Sequence, residues 1–68
     1  MELYDYYGHT IRVTLEDGDV VEGYADLYES ALDNSEGKET LSILPHPGAG
    51  YYIDISEADV IKEILIVD

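Results

Sequence analysis

The residues of this chain best suited to chemistry are two histidines, His9 and His46, the serines Ser30, Ser35, Ser42 and Ser56, and sixteen acids. The histidines lie in different segments, and neither has a second histidine at ligand spacing, so no transition-metal motif forms. Asp33-Asn-Ser-Glu-Gly has the look of a calcium loop, but its glycine comes one position early and the distal Glu is missing. It reads as a polar turn. His46-Pro-Gly-Ala-Gly carries two glycines without the length or the lysine of a phosphate-binding loop, and reads as a connection. None of the serines stands beside a base at a recognisable spacing, and with sixteen acids some carboxylate pairs are inevitable. These patterns predict a protein that is not an enzyme, with no metal and no cofactor.

Binding chemistry is the other use of such residues. Seven tyrosines with no Phe and no Trp form an unusual aromatic set. Tyrosine stacks on nucleic-acid bases where cations accompany it. Here the only bases, Arg12, Lys38 and Lys62, lie far apart in sequence, against a formal net charge of -13. Such a balance repels polyanions at long range. Tyrosine also pairs an apolar ring with a wet hydroxyl, which suits interfaces and the rim of a sheet. The acids of one segment, Glu22 and Asp26, predict a solvated outer face. Their functional reading is an acidic surface that binds a basic partner or imitates nucleic acid.

Sixty-eight residues allow one domain, 1–68, with a small core. No cysteine is present to staple it, which points to self-association as its support. High charge also marks disordered chains, but 46% hydrophobic content with regular spacing predicts a fold. The N-terminus lacks a signal-peptide pattern and the longest apolar run, Ile64 to Val67, is far too short to cross a bilayer. A soluble, cytoplasmic protein is expected, with no membrane partner.

Glu2 to Gly8 predicts a cap helix within 1–8, with Leu3 and Tyr7 on one face and Gly8 as its stop. The remainder, 9–68, predicts five short antiparallel strands. Thr10 to Glu16 alternates, with Ile11, Val13 and Leu15 inward. Asp17-Gly18 makes a tight hairpin, and a return strand from Val20 to Tyr28 turns Val21, Gly23, Ala25 and Leu27 inward. Its glycine and alanine leave room for a sharp bend. Thr40 to Leu44 and Tyr51 to Ile55 are the next strands. Ser56-Glu-Ala-Asp has capping-box spacing and predicts one helical or 3-10 turn. Ile61 to Val67 closes the set, with Ile61, Leu65 and Val67 on one face and Ile64 and Ile66 on the other, so both faces require cover. The fold expected is mainly β, a small five-stranded antiparallel barrel.

The stretch Ile11-Arg-Val-Thr-Leu-Glu-Asp-Gly-Asp-Val-Val-Glu-Gly23 resembles the first signature of the Sm-like (LSm) family. Alternating apolar residues, Leu-x-Asp-Gly, and a glycine in a bent second strand carry the likeness, together with the preceding helix and the five strands. The resemblance implies an SH3-type Sm-like barrel in a ring of about five to eight subunits. In such rings the fourth strand of one subunit pairs with the fifth of the next, which would place Tyr51, Tyr52, Ile53, Ile64 and Ile66 at the contact. It also implies single-stranded RNA binding, with Tyr28, Glu29, Asp33 and Asn34 at the matching positions. Asp33 replaces an Asn of the family pattern, with Asn34 one place late, and the Ile-Arg-Gly run of the second signature is absent from Ile53 to Ile64.

The function expected is therefore a non-enzymatic homo-oligomeric binding module that takes a protein or cationic partner on an acidic surface. The first alternative is a divergent RNA-binding ring, with Lys38 or Lys62 repeated around the pore. The second is an acidic inhibitor that mimics nucleic acid.

Overall fold

The computed structural model describes residues 2–68. A single turn of 3-10 helix, Leu3–Tyr6, precedes five strands: β1 (Thr10–Leu15), β2 (Val20–Glu29), β3 (Thr40–Leu44), β4 (Ile53–Ser56) and β5 (Ile61–Ile66). They form one antiparallel sheet in the order β4-β3-β2-β1-β5. The mainly β, five-stranded antiparallel expectation holds. The hydrogen-bonded ladder does not close, because β4 pairs only with β3 and β5 only with β1.

β2 organises the sheet. Its first half pairs with β1, from Thr14↔Val20 to Thr10↔Tyr24, and its second half pairs with β3, from Tyr24↔Leu44 to Glu29↔Thr40. The handover falls beside Gly23, where β3 approaches so closely that an added Cβ would collide with the Leu44 carbonyl and lie 2.8 Å from Ile43 Cγ2. Only a residue without a side chain fits. The hairpin from β1 turns on Gly18, whose φ of 95° is natural for glycine. The Asp17 carboxylate accepts the Asp19 N–H at 2.9 Å and holds that turn.

Leu3, Ile11, Val13, Ala25, Leu41, Ile43 and Ile55 form the buried core, with Tyr6, Leu15, Val21, Tyr28, Ile61 and Ile64 packed around it. The inward face expected of β1 is therefore correct, and β3 turns Leu41 and Ile43 inward with the same alternation. Several details differ from expectation. The helix expected within 1–8 is one 3-10 turn without a side-chain cap, and Met1 lies outside the described residues. Three residues per turn put Tyr6, rather than Tyr7, on the core side with Leu3. In β2 a bulge between Ala25 and Leu27 inserts Asp26, so Leu27 turns out, at 51% exposure, and Tyr28 turns in.

The same device operates in β5. A register shift at Thr14/Leu15 leaves Lys62 unpaired and brings both Ile61 and Ile64 to the core side, against the strict alternation expected. Leu65, Ile66 and Val67 remain exposed. β4 begins at Ile53, so Tyr51 and Tyr52 precede the strand and are exposed. The helical or 3-10 turn expected at Ser56–Asp59 is instead a plain hydrogen-bonded turn between β4 and β5; its side chains still pair reciprocally, the Asp59 carboxylate accepting the Ser56 N–H at 2.8 Å and Ser56 Oγ accepting the Ala58 N–H at 3.2 Å.

Replacing Gly23 by alanine tests the handover. Overpacking against backbone costs on the order of 2 kcal/mol, so Gly23→Ala should lower the thermal midpoint by roughly 10 °C in a domain of this size. An unchanged midpoint would mean that β2 and β3 separate freely there.

Candidate functional site

Of the four residues matched to an RNA-binding pattern, Tyr28 and Glu29 lie at the end of β2 and Asp33 and Asn34 in the loop that follows it, and the structure joins only Glu29 and Asn34 directly. Their side chains are largely engaged within the loop. Asn34 Nδ2 donates to Glu29 Oε1 at 2.6 Å and to Thr40 Oγ1 at 3.3 Å. Its Oδ1 accepts the N–H groups of Glu36 and Lys38, at 2.9 and 3.4 Å. Asn34 thus uses donor and acceptor alike to shape its own loop. Ser30 Oγ donates to Asp33 Oδ2 and accepts the Asp33 N–H, both at 3.3 Å. Lys38 Nζ lies 3.6 Å from Glu36 Oε2. Tyr28 is half-buried against the core rather than splayed into solvent.

The acids of β2 are likewise held. Glu22 receives the Arg12 guanidinium across the β1–β2 pair, with Nε to Oε1 at 2.6 Å. Asp26 accepts the Tyr52 phenol at 2.7 Å. That bond, followed by partial burial, raises the Tyr52 hydroxyl above its ordinary value. With Asn34 on Glu29, every acid of β2 has a donor from another segment. These pairs are exposed and each contributes little stability, but together they tie β1, the segment before β4 and the loop after β2 to the strand.

The edges of the sheet are open. Of the residues expected at a subunit contact, Ile53 lies on the β4 edge, with Tyr51 and Tyr52 leading into it, and Ile64 and Ile66 lie on the β5 edge at the other end of the sheet. Unpaired strand edges are templates for another strand. β5 adds the exposed Leu65, Ile66 and Val67, and carries Lys62.

The histidines stay apart. His46 Nδ1 is 3.0 Å from the Pro47 carbonyl, beside a shallow apolar groove of about 390 Å³ walled by Tyr24, Leu44 and Pro45. His9 Nδ1 lies 3.2 Å from Asp68 Oδ2, which also accepts the Thr10 N–H at 3.1 Å. This clasp went unnoticed in sequence because its members are 58 and 59 residues apart. Among the described residues no group of three or more His, Asp or Glu side chains is placed to hold a metal, and no helix is long and apolar enough to cross a membrane. Comparison with known protein families, curated proteins and solved structures found no match.

The clasp makes stability depend on acid. The Thr10 N–H, and after it His9, holds the Asp68 carboxyl below its ordinary value of 3.8, against an opposing effect of burial. A depressed carboxyl contributes stability above its unfolded value and loses it as pH falls through the folded one. Asp68→Asn should therefore lower the urea midpoint at about pH 7, and the gap to the parent should close by about pH 2. A gap that persists in acid would assign the effect to shape rather than charge.

Proposed function

We propose that this protein is a non-enzymatic, homo-oligomeric binding module of Sm-like, SH3-type architecture, which pairs β4 of one copy with β5 of the next and takes a cationic protein partner on its acidic surface. The observation that carries the reading is the sheet order β4-β3-β2-β1-β5, which leaves two unpaired edges, one of them lined by exposed Leu65, Ile66 and Val67. Joining different edges is a head-to-tail contact, and such contacts close into rings when the rotation permits. β4 contributes the exposed Asp54 and β5 the exposed Lys62, a pair of opposite sign for the same contact. A domain this small also gains the most from pairing its edges.

The preference for a cationic partner over RNA follows from charge and from the loop. The net charge is -13, Arg12 and Lys38 are each within an ion pair, and the Asn34 amide is engaged internally. Phosphate contacts need the reverse of all three.

Native mass spectrometry at mild ionic strength tests the assembly. About five to eight copies, a closed ring, is the expected result, and Ile66→Lys, which puts a charge on the β5 edge, should release folded monomers. A monomeric parent protein would overturn the ring. Excess mass that ribonuclease removes would replace the cationic partner with RNA.

A further inference from the structure

We infer that the exposed faces of Tyr4 and Tyr7, beside the carboxylate of Glu39, form a docking site for an arginine side chain of a basic protein partner. The inference deepens the reading of an acidic protein-binding module and rests on it for the class of partner. It does not depend on the ring.

Three tyrosines from two elements meet where the 3-10 turn lies against the sheet. Tyr28 comes from β2, turned inward by the bulge, and is held by the core. Tyr4 meets it edge-on, with centroids 5.0 Å apart and planes at 72°. Tyr7 completes the group at 6.2 Å from Tyr4 and 6.4 Å from Tyr28. Leu3, Tyr6 and Tyr28 are wholly or partly buried where the turn meets the core. Tyr4 and Tyr7 stay 60% and 46% exposed. Two large aromatic surfaces are thus held in place without being covered.

A carboxylate lies against them, with a second behind it. Glu39 Oε1 accepts the Tyr4 backbone N–H at 3.1 Å, and Glu57 Oε1 approaches the Glu39 N–H at 3.3 Å. Partial burial raises the Tyr28 phenol, and the Glu39 carboxylate beside it raises it further, which places that charge against the ring cluster. None of the ion pairs among the described residues includes Glu39 or Glu57. Elsewhere on β2 the acids have internal donors. Here the Glu39 carboxylate and the electron-rich faces of the rings coincide, and among the described residues no ion pair covers that carboxylate.

Geometry selects the cation. A cation bound to an aromatic ring sits within about 6 Å of the centroid, and these rings, 5.0 to 6.4 Å apart, already touch one another. They leave no cage around an ammonium. What remains is outward-facing planes, on which a flat guanidinium stacks while its N–H groups reach the carboxylates and phenols. A lysine ammonium, compact and strongly hydrated, uses such a surface less well.

Fluorescence anisotropy of a labelled arginine-glycine repeat peptide, with matched lysine and citrulline peptides, tests this. The arginine peptide should bind saturably at low salt, the lysine peptide more weakly, and the citrulline peptide least. Each ring is expected to matter by about two- to five-fold, so Tyr4→Leu and Tyr7→Leu should weaken arginine-peptide binding by that factor. Tyr24→Leu, on an exposed tyrosine elsewhere in β2, should not. In the unmodified protein the ring-proton NMR signals of Tyr4 and Tyr7 should move on addition of the peptide, a readout independent of how the variants fold. Binding that persists unchanged in both tyrosine variants, with no movement of those signals, would overturn the site and leave the acidic module standing. Failure of the unmodified protein to bind arginine and lysine peptides alike at low salt would overturn both.

Discussion

One missing side chain governs this structure. β2 is hydrogen-bonded to β1 along its first half and to β3 along its second, and the two ladders meet at Tyr24. At the residue before it the Leu44 carbonyl occupies the space that any Cβ would need. Glycine there allows one strand to change partners without a break, and Ala25, fully buried, continues the narrow passage. The core then assembles on the concave side of the bent strand, from Ile11 and Val13 on one partner and Leu41 and Ile43 on the other. Without that approach the two halves of the sheet would have no common core.

The bulges decide what this core presents to the outside. Inserting Asp26 turns Tyr28 inward, where it supports Tyr4 and Tyr7, and aims the inserted carboxylate at the Tyr52 phenol. Leaving Lys62 unpaired brings Ile61 and Ile64 together on the core side, while Leu65, Ile66 and Val67 stay outside. Each insertion alters the side-chain alternation beyond it. The exposed aromatic faces and the exposed apolar edge are thus consequences of the same backbone device used twice.

That also explains which features could be read from the sequence. β1 and β3 alternate without interruption, so their spans and inward residues were legible from spacing alone. The hairpin at Gly18 and the bend at Gly23 were legible because glycine answers a specific steric need. The faces of Leu27 and Leu65 were not, since a bulge is set by pairing across the sheet and leaves no mark in local spacing. The short N-terminal turn had the opposite fault: Leu3 and Tyr7 fit an α-helical period, but tertiary contact selected the tighter one. Of the candidate site, the loop residues could be named, whereas the role of Asn34 as a clamp on Glu29 and Thr40 depends on how the loop folds back. The meeting of Tyr4 with Glu39 spans 35 residues and was beyond any local pattern.

Charge sets the terms on which such a body associates. Its extents are 28 × 26 × 19 Å, and a net charge of -13 resides on it. At about 0.01 M salt the screening length is about 30 Å, longer than any of these extents, so neighbouring copies would feel one another's whole charge. At physiological ionic strength it falls to about 8 Å, while paired strands stand only about 4.8 Å apart. Pairing of edge strands and burial of Leu65, Ile66 and Val67 between copies would act within the shorter distance, and the repulsion of the bodies acts beyond it. Association between copies, as proposed, would therefore be a short-range gain set against a long-range penalty that salt removes. A cationic partner meets the reverse balance: the same field draws it in at low salt. Salt should consequently separate the two kinds of contact, strengthening one and weakening the other, which no single contact in the fold could do.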